Sequence, residues 1–142
     1  MKPKTESEIE AMRQGGRLLA EVFELIPDLI KPGKSTKTLA DEVDVLIEKR
    51  GGRSAVIGYE GYPERLCISV NEEVVHGIPS KKRILKDGDL VSIDLTIFYK
   101  QMVVDSARTY YVGDLAKAPK DIQKLMEQTK RALDAGIDAI KG

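Results

Sequence analysis

A chain of 142 residues is long enough for one domain with its own core. Its 23 Lys and Arg balance 23 Asp and Glu, leaving no bulk positive charge to argue for a nucleic-acid partner. At 42% hydrophobic and 32% charged it reads as a water-soluble globular chain, with no apolar run of bilayer-spanning length and no secretory leader in Met1-Lys2-Pro3-Lys4-Thr5-Glu6. The single cysteine, Cys67, excludes an internal disulfide and suits a reducing cytoplasm. No Trp and only two Phe leave little for an aromatic stacking platform.

Taken in chain order, a first helix is expected from Ser7 to Leu29. Ser7 with Glu10 would form its capping box. Ile9, Met12, Leu19, Val22, Phe23, Ile26 and Ile30 recur at helical spacing. Gly15-Gly16 interrupts this helix, where close packing is the simplest reason for two residues that weaken a helix, and Pro32-Gly33 stops it. Ser35 or Thr36 opens a second helix with Leu39, Val43, Leu46 and Ile47 as its buried stripe, ending at Gly51-Gly52. From Ser54 the period falls towards two. Short strands are expected at Ala55–Ile57, Leu66–Val70 and Glu73–Val75, then a long pair over 90–99 and 101–112 after the Asp87-Gly88-Asp89 turn. A third helix begins near Pro119, with Asp121 in its first turn and Leu125, Met126, Ala132, Leu133 and Ile137 along it. The order of helix, helix, strands and helix predicts a single α+β domain over 1–142, an antiparallel sheet with helices packed on one face.

The long pair carries the strongest chemical signal. Val91, Ile93, Leu95 and Ile97 point one way; Ser92, Asp94 and Thr96 point the other. A two-residue turn at Tyr99-Lys100 would set Asp94 directly opposite Asp105, Leu95 opposite Val104 and Ile97 opposite Met102. That turn lacks the Gly or Asn such turns favour, so a longer loop would shift the pairing. Two carboxylates facing each other repel unless a cation lies between them or one stays protonated. Solvated aspartates on an exposed face are the competing reading. His76, the only histidine, ends a short apolar run before Gly77-Ile78-Pro79, and a lone histidine is more often a surface or hydrogen-bonded residue than a catalyst.

Several ordered blocks narrow these readings. Gly58-Tyr59-Glu60-Gly61-Tyr62-Pro63, Cys67-Ile68-Ser69-Val70-Asn71-Glu72, Val75-His76-Gly77-Ile78-Pro79 and Asp87-Gly88-Asp89-Leu90-Val91-Ser92-Ile93-Asp94, with Asp105 following at the proper spacing, resemble type I methionine aminopeptidases. The resemblance implies half of a pita-bread (creatinase/aminopeptidase) fold. It implies a centre of two divalent ions (Co, Mn, Fe or Zn), with Asp94 bidentate on one and Asp105 bridging both. It further implies that His76 contacts the scissile peptide and steadies the tetrahedral intermediate, and that Tyr59, Tyr62 and Cys67 line a pocket for the methionine side chain. Metal pairs of this kind activate water and stabilise a developing oxyanion, and a flexible thioether suits an apolar pocket with one sulfur contact. The implied partner is the N-terminal methionine of nascent peptides, with the ribosome as a candidate partner and a cytoplasmic location; no membrane or direct nucleic-acid signal accompanies it, and the oligomeric state is open.

Two departures bear on the site. Val104 stands beside Asp105 where the family has a small residue, and Val56 stands where many members carry cysteine. A larger one is that the family's other ligands, one histidine and two glutamates, belong to its second half, together with a second histidine near the substrate. Here no histidine follows His76, and the only glutamate after Glu73 is Glu127, on the third helix. The resemblance therefore implies the N-terminal half of a methionine aminopeptidase, a truncated chain that binds metal weakly and turns over nothing alone. A non-catalytic pita-bread module that binds peptides is the alternative, and a homodimer mimicking the whole fold is a third.

Overall fold

The computed structural model describes residues 2–140. Helix α1 (Glu6–Leu29) starts from a capping box, but at Thr5 and Glu8 rather than Ser7 and Glu10. Thr5 Oγ1 accepts from the Glu8 N–H at 3.3 Å while the Glu8 carboxylate accepts from the Thr5 N–H at 2.7 Å. The earlier start places Glu6 and Glu8 in the first turn, where negative charge complements the helix dipole. Helix α2 (Thr36–Glu48) is capped by Ser35, whose hydroxyl accepts from the Thr38 N–H at 3.1 Å. Leu39, Val43 and Ile47 of its expected stripe are buried, joined by Ala40, whereas Leu46 is only partly covered.

Strands β1 (Arg53–Ser54), β2 (Cys67–Val70), β3 (Leu90–Tyr99) and β4 (Met102–Tyr111) form one antiparallel sheet. Central β3 pairs with β4 along one edge and with β2 and β1, end to end, along the other. Among the described residues the far edge of β4 has no partner strand. The expected strand at Ala55–Ile57 is absent, and β1 lies just before it. Ser54 explains the difference: its hydroxyl oxygen accepts from the Val56 and Ile57 N–H groups at 3.3 and 3.4 Å, drawing them into a local turn. Glu73–Val75 is no strand either. Asn71 takes a left-handed φ of 57° and the Glu73 carboxylate accepts the Val70 N–H at 2.7 Å, so the chain turns away from β2 into solvent.

The β3–β4 hairpin turns at Lys100-Gln101, one residue later than expected, with φ of 44° and 68°. Tyr99 stays on the strand, packed against the core, and the two exposed residues take the left-handed conformations. The shift moves every pair by two positions. Thr96, not Asp94, is opposite Asp105; Asp94 is opposite Ala107, Leu95 opposite Ser106 and Ile97 opposite Val104. Because the shift is even, both faces keep their members.

Val91, Ile93, Leu95 and Ile97 of β3 are fully covered and meet Leu19, Val22, Phe23 and Ile26 of α1 and Leu39, Val43 and Ile47 of α2. Gly15 permits the closest approach: a β-carbon there would lie 2.9 Å from Val104 Cγ2. Gly16 has open space instead. Thus α1 and α2 cover one face of the sheet, and among the described residues no helix packs on the Asp94 face. Helix α3 (Lys120–Ala139) starts at Pro119 as expected but buries no residue, so Leu125, Leu133 and Ile137 remain exposed. No described helix is long and apolar enough to cross a membrane.

Candidate metal centre

Alternation along β3 and β4 brings Ser92, Asp94, Thr96, Asp105, Ala107 and Thr109 to the helix-free face. Cys67 pairs with Asp94 from the other side, so its thiol belongs to the same face. Asp94 and Asp105 are diagonal neighbours, within reach of one another across the strands. Directly opposite Asp94 stands the small Ala107. Val104 does not crowd Asp105, because it points to the helix side against Gly15.

Asp94 is half-buried, and its Oδ1 is shut off from solvent with no hydrogen-bond partner among the described residues. Burial raises its pKa above the ordinary carboxylate value; the neighbouring Asp105 carboxylate adds to the rise, while His76 opposes it. Asp105 is exposed, and the Thr96 hydroxyl donates to its Oδ1 at 2.5 Å. Farther along the same face the Ser92 and Thr109 hydroxyls hydrogen-bond at 2.8 Å.

The loop after β2 carries His76, exposed and in a left-handed conformation with φ 58°. The next residue must be glycine: a β-carbon on Gly77 would sit 2.2 Å from the Ile68 carbonyl oxygen. Around that contact the Gly77 N–H donates to Ser69 Oγ at 3.0 Å, and the Gly77 carbonyl accepts from the Ile68 N–H at 2.9 Å and the Tyr62 hydroxyl at 3.1 Å. The imidazole is thus displayed from a loop fastened to β2 and to Tyr62.

Tyr62 also reaches the Leu66 carbonyl at 3.3 Å; burial first, then Cys67, pushes its hydroxyl pKa up. Burial likewise raises the Cys67 thiol, with Asp94 and Asp105 adding to the rise and the Tyr62 hydrogen bond opposing it. A buried, neutral thiol of this kind is a packing surface rather than a nucleophile. Tyr59, in the tight turn Tyr59–Gly61, is 68% exposed and stands at the surface.

Of the six site residues expected from sequence, Asp94, Asp105 and Cys67 share the sheet face, Tyr62 touches Cys67, and His76 lies close enough for its charge to act on Asp94. Thr96, Ser69 and Gly77 were missed. Thr96 had a signal in its position two residues beyond Asp94 on the same face, hidden by the misplaced turn. Carboxylate oxygens suit a divalent cation, and the unpartnered Asp94 oxygen beside a second carboxylate fits one. The fit is incomplete, since among the described residues no three His, Cys, Asp or Glu side chains gather as a metal-holding group.

Known proteins similar to this chain are metallopeptidases. Residues 10–142 match the family model described as metallopeptidase family M24. The methionine aminopeptidase of Aquifex aeolicus is 41% identical over 140 residues, covering 94% of this chain and 53% of the relative. That of Escherichia coli K12 is 46% identical over 112 residues, covering 78% and 42%. Among solved structures, methionine aminopeptidase from Thermotoga maritima superposes with a TM-score of 0.91 at 36% identity, covering 99% of this chain and 55% of that one. The Rickettsia prowazekii enzyme gives 0.88 at 36% identity, covering 96% and 54%. The chain therefore spans about half the length of the relatives it matches. Its architecture is the expected α+β half of a pita-bread fold.

Proposed function

The chain belongs to metallopeptidase family M24, and from that premise we propose that it supplies the first half of a methionine aminopeptidase site, cleaving the N-terminal methionine from peptides. The observation that carries this reading is Asp94: a half-buried carboxylate whose hidden oxygen lacks a partner among the described residues and beside which a second carboxylate stands. Leaving such a group unpaired costs about 1–3 kcal/mol, which a cation shared with Asp105 would offset. Asp94 and Asp105 would hold a pair of divalent ions, whose contribution when bound is to acidify a water and stabilise an oxyanion. His76, presented by the Gly77-anchored loop, would contact the scissile peptide. Cys67 and Tyr62 would wall the methionine pocket, with Tyr59 at its rim.

The remaining ligands would come from the portion of the relatives' length that these residues do not span. The 142 residues alone are therefore expected to bind metal weakly and to show no appreciable turnover. Mixing the chain with the second half of a relative in the presence of manganese or cobalt, and assaying Met-Ala peptides, tests both statements. Recovery of activity only in the mixture supports them; turnover by the chain alone overturns the second, and a mixture of folded halves that takes up metal but cleaves nothing overturns the first. Nascent chains at the ribosome, in the cytoplasm, are the natural source of such substrates under this reading.

One observation favours a second reading. The described residues gather too few ligands for a metal on their own, as a peptide-binding module without catalysis would. Calorimetry separates the two: no metal uptake even with the second half present would favour the binder.

A further inference from the structure

We propose that Thr96 is a positioning residue that fixes the Asp105 carboxylate for a cation held jointly with Asp94. The inference rests on the metal reading given above and deepens it.

Asp105 is exposed on the open face, so nothing about its burial restricts its rotamer. What restrains it is the residue across the strand. The Thr96 carbonyl accepts the Ala55 N–H at 2.9 Å, on the β1 side of β3, so the Thr96 backbone points away from β4. Thr96 and Asp105 are therefore a non-hydrogen-bonded pair of the antiparallel ladder, the kind whose side chains come closest. Thr96 is half-buried and β-branched, with few rotamers open to it. Towards a carboxylate its hydroxyl can only donate, and it does so to Oδ1 of Asp105 at 2.5 Å. Such a bond occupies part of one oxygen and leaves Oδ2 for a cation.

The neighbours on this face give the bond its direction. The Ser92 and Thr109 hydroxyls bond across the strands, and the Thr96 hydroxyl bonds across them to the Asp105 carboxylate. Between them lies Asp94 opposite Ala107, whose methyl group fills little of the space. Asp105 is the diagonal neighbour of Asp94 in this register, and the Thr96 hydroxyl holds its carboxylate on that side of the ladder. Groups that orient metal ligands in this way commonly account for 10–100-fold in metal affinity.

The test compares the wild-type chain with Thr96→Val, which keeps the shape and removes the hydroxyl, and Thr96→Ser, which keeps the hydroxyl. Mn2+ titrated alone by calorimetry should bind Thr96→Val about tenfold more weakly than wild type, with Thr96→Ser close to wild type. Three-bond couplings read by NMR in metal-free chain should show one Asp105 χ1 rotamer in wild type and Thr96→Ser, and averaging in Thr96→Val. Equal Mn2+ affinity in wild type and Thr96→Val overturns the proposal whatever the rotamers show, as does an equal loss in Thr96→Ser. If the wild-type chain alone takes up no Mn2+, the titrations are run with the second half of a relative present; no uptake there overturns the metal reading, and the couplings still decide positioning: averaging confined to Thr96→Val supports it, and unchanged couplings overturn it.

Discussion

Asp44 on α2 and Asp94 on β3 each hide an oxygen that no described donor reaches, yet their surroundings have opposite sign. Asp44 is 7% exposed, and Arg65 Nε stands 3.4 Å from its other oxygen. Burial raises its pKa; Arg65 pulls it down, and Glu48 and Asp41 push it up. At Asp94 burial is again the largest cause, but the next is a second carboxylate. A hidden carboxylate is therefore not in itself a sign of chemistry. One beside a cation is an ion pair of the packed fold, whereas one beside another carboxylate lacks a counter-charge that something else must bring.

The largest effect expected of this contrast is on metal uptake. Asp94→Asn should weaken Mn2+ binding on the order of 100-fold or more, beyond the range typical of groups that only orient ligands. Asp44→Asn should leave it unchanged. Calorimetry on the two variants decides, and an equal loss in both would erase the distinction.

Glycines sharpen the same contrast at the level of packing. Gly77→Ala drives a β-carbon against the Ile68 carbonyl and should cost about 3 kcal/mol, the upper end for overpacking a fitted site. It should also disturb the His76 loop, visible in the NMR spectrum of the single imidazole. Gly15→Ala meets Val104 at 2.9 Å and should cost about 1–2 kcal/mol. Its neighbour Gly16 faces open space, so Gly16→Ala should gain about 0.5–1 kcal/mol from helix propensity. Urea denaturation of the three variants tests that order, and a stabilised Gly15→Ala would mean that α1 does not approach β4 so closely.

The smallest effect is on pH dependence. Asp44 titrates in the folded chain above its ordinary value of 3.8. As pH rises from there towards the raised value, the unfolded chain gives up its proton first, so the folded state loses stability through that window. Asp44→Asn should make the melting temperature less sensitive to pH there. An unchanged slope would mean that Arg65 already neutralises the burial effect.

Periodicity alone marked α1, α2, β3, β4 and α3 to within a residue or two, because long amphipathic elements repeat their signal many times. The shared face of Asp94 and Asp105 survived an error in the turn, since moving a register by two leaves side-chain direction unchanged. What could not be read were events decided by single contacts. Tyr99 kept its place on the core and passed the left-handed residues to Lys100 and Gln101, which changed the partner of Asp105 to Thr96. Ser54 removed a strand with one hydroxyl. Gly77 looked like a turn residue, although what requires it is the Ile68 carbonyl of a strand nine residues away. The site blocks were legible as a pattern; how they are held was legible only in three dimensions.

The far edge of β4 also governs how this chain behaves in the test tube. Ten residues of strand, Met102–Tyr111, have β3 on one edge and, among the described residues, no partner strand on the other. An unpaired strand edge recruits other strands, including those of neighbouring molecules. Self-association should therefore rise with protein concentration under conditions where the fold is stable, and a short peptide that occupies the edge should raise the concentration at which precipitation begins.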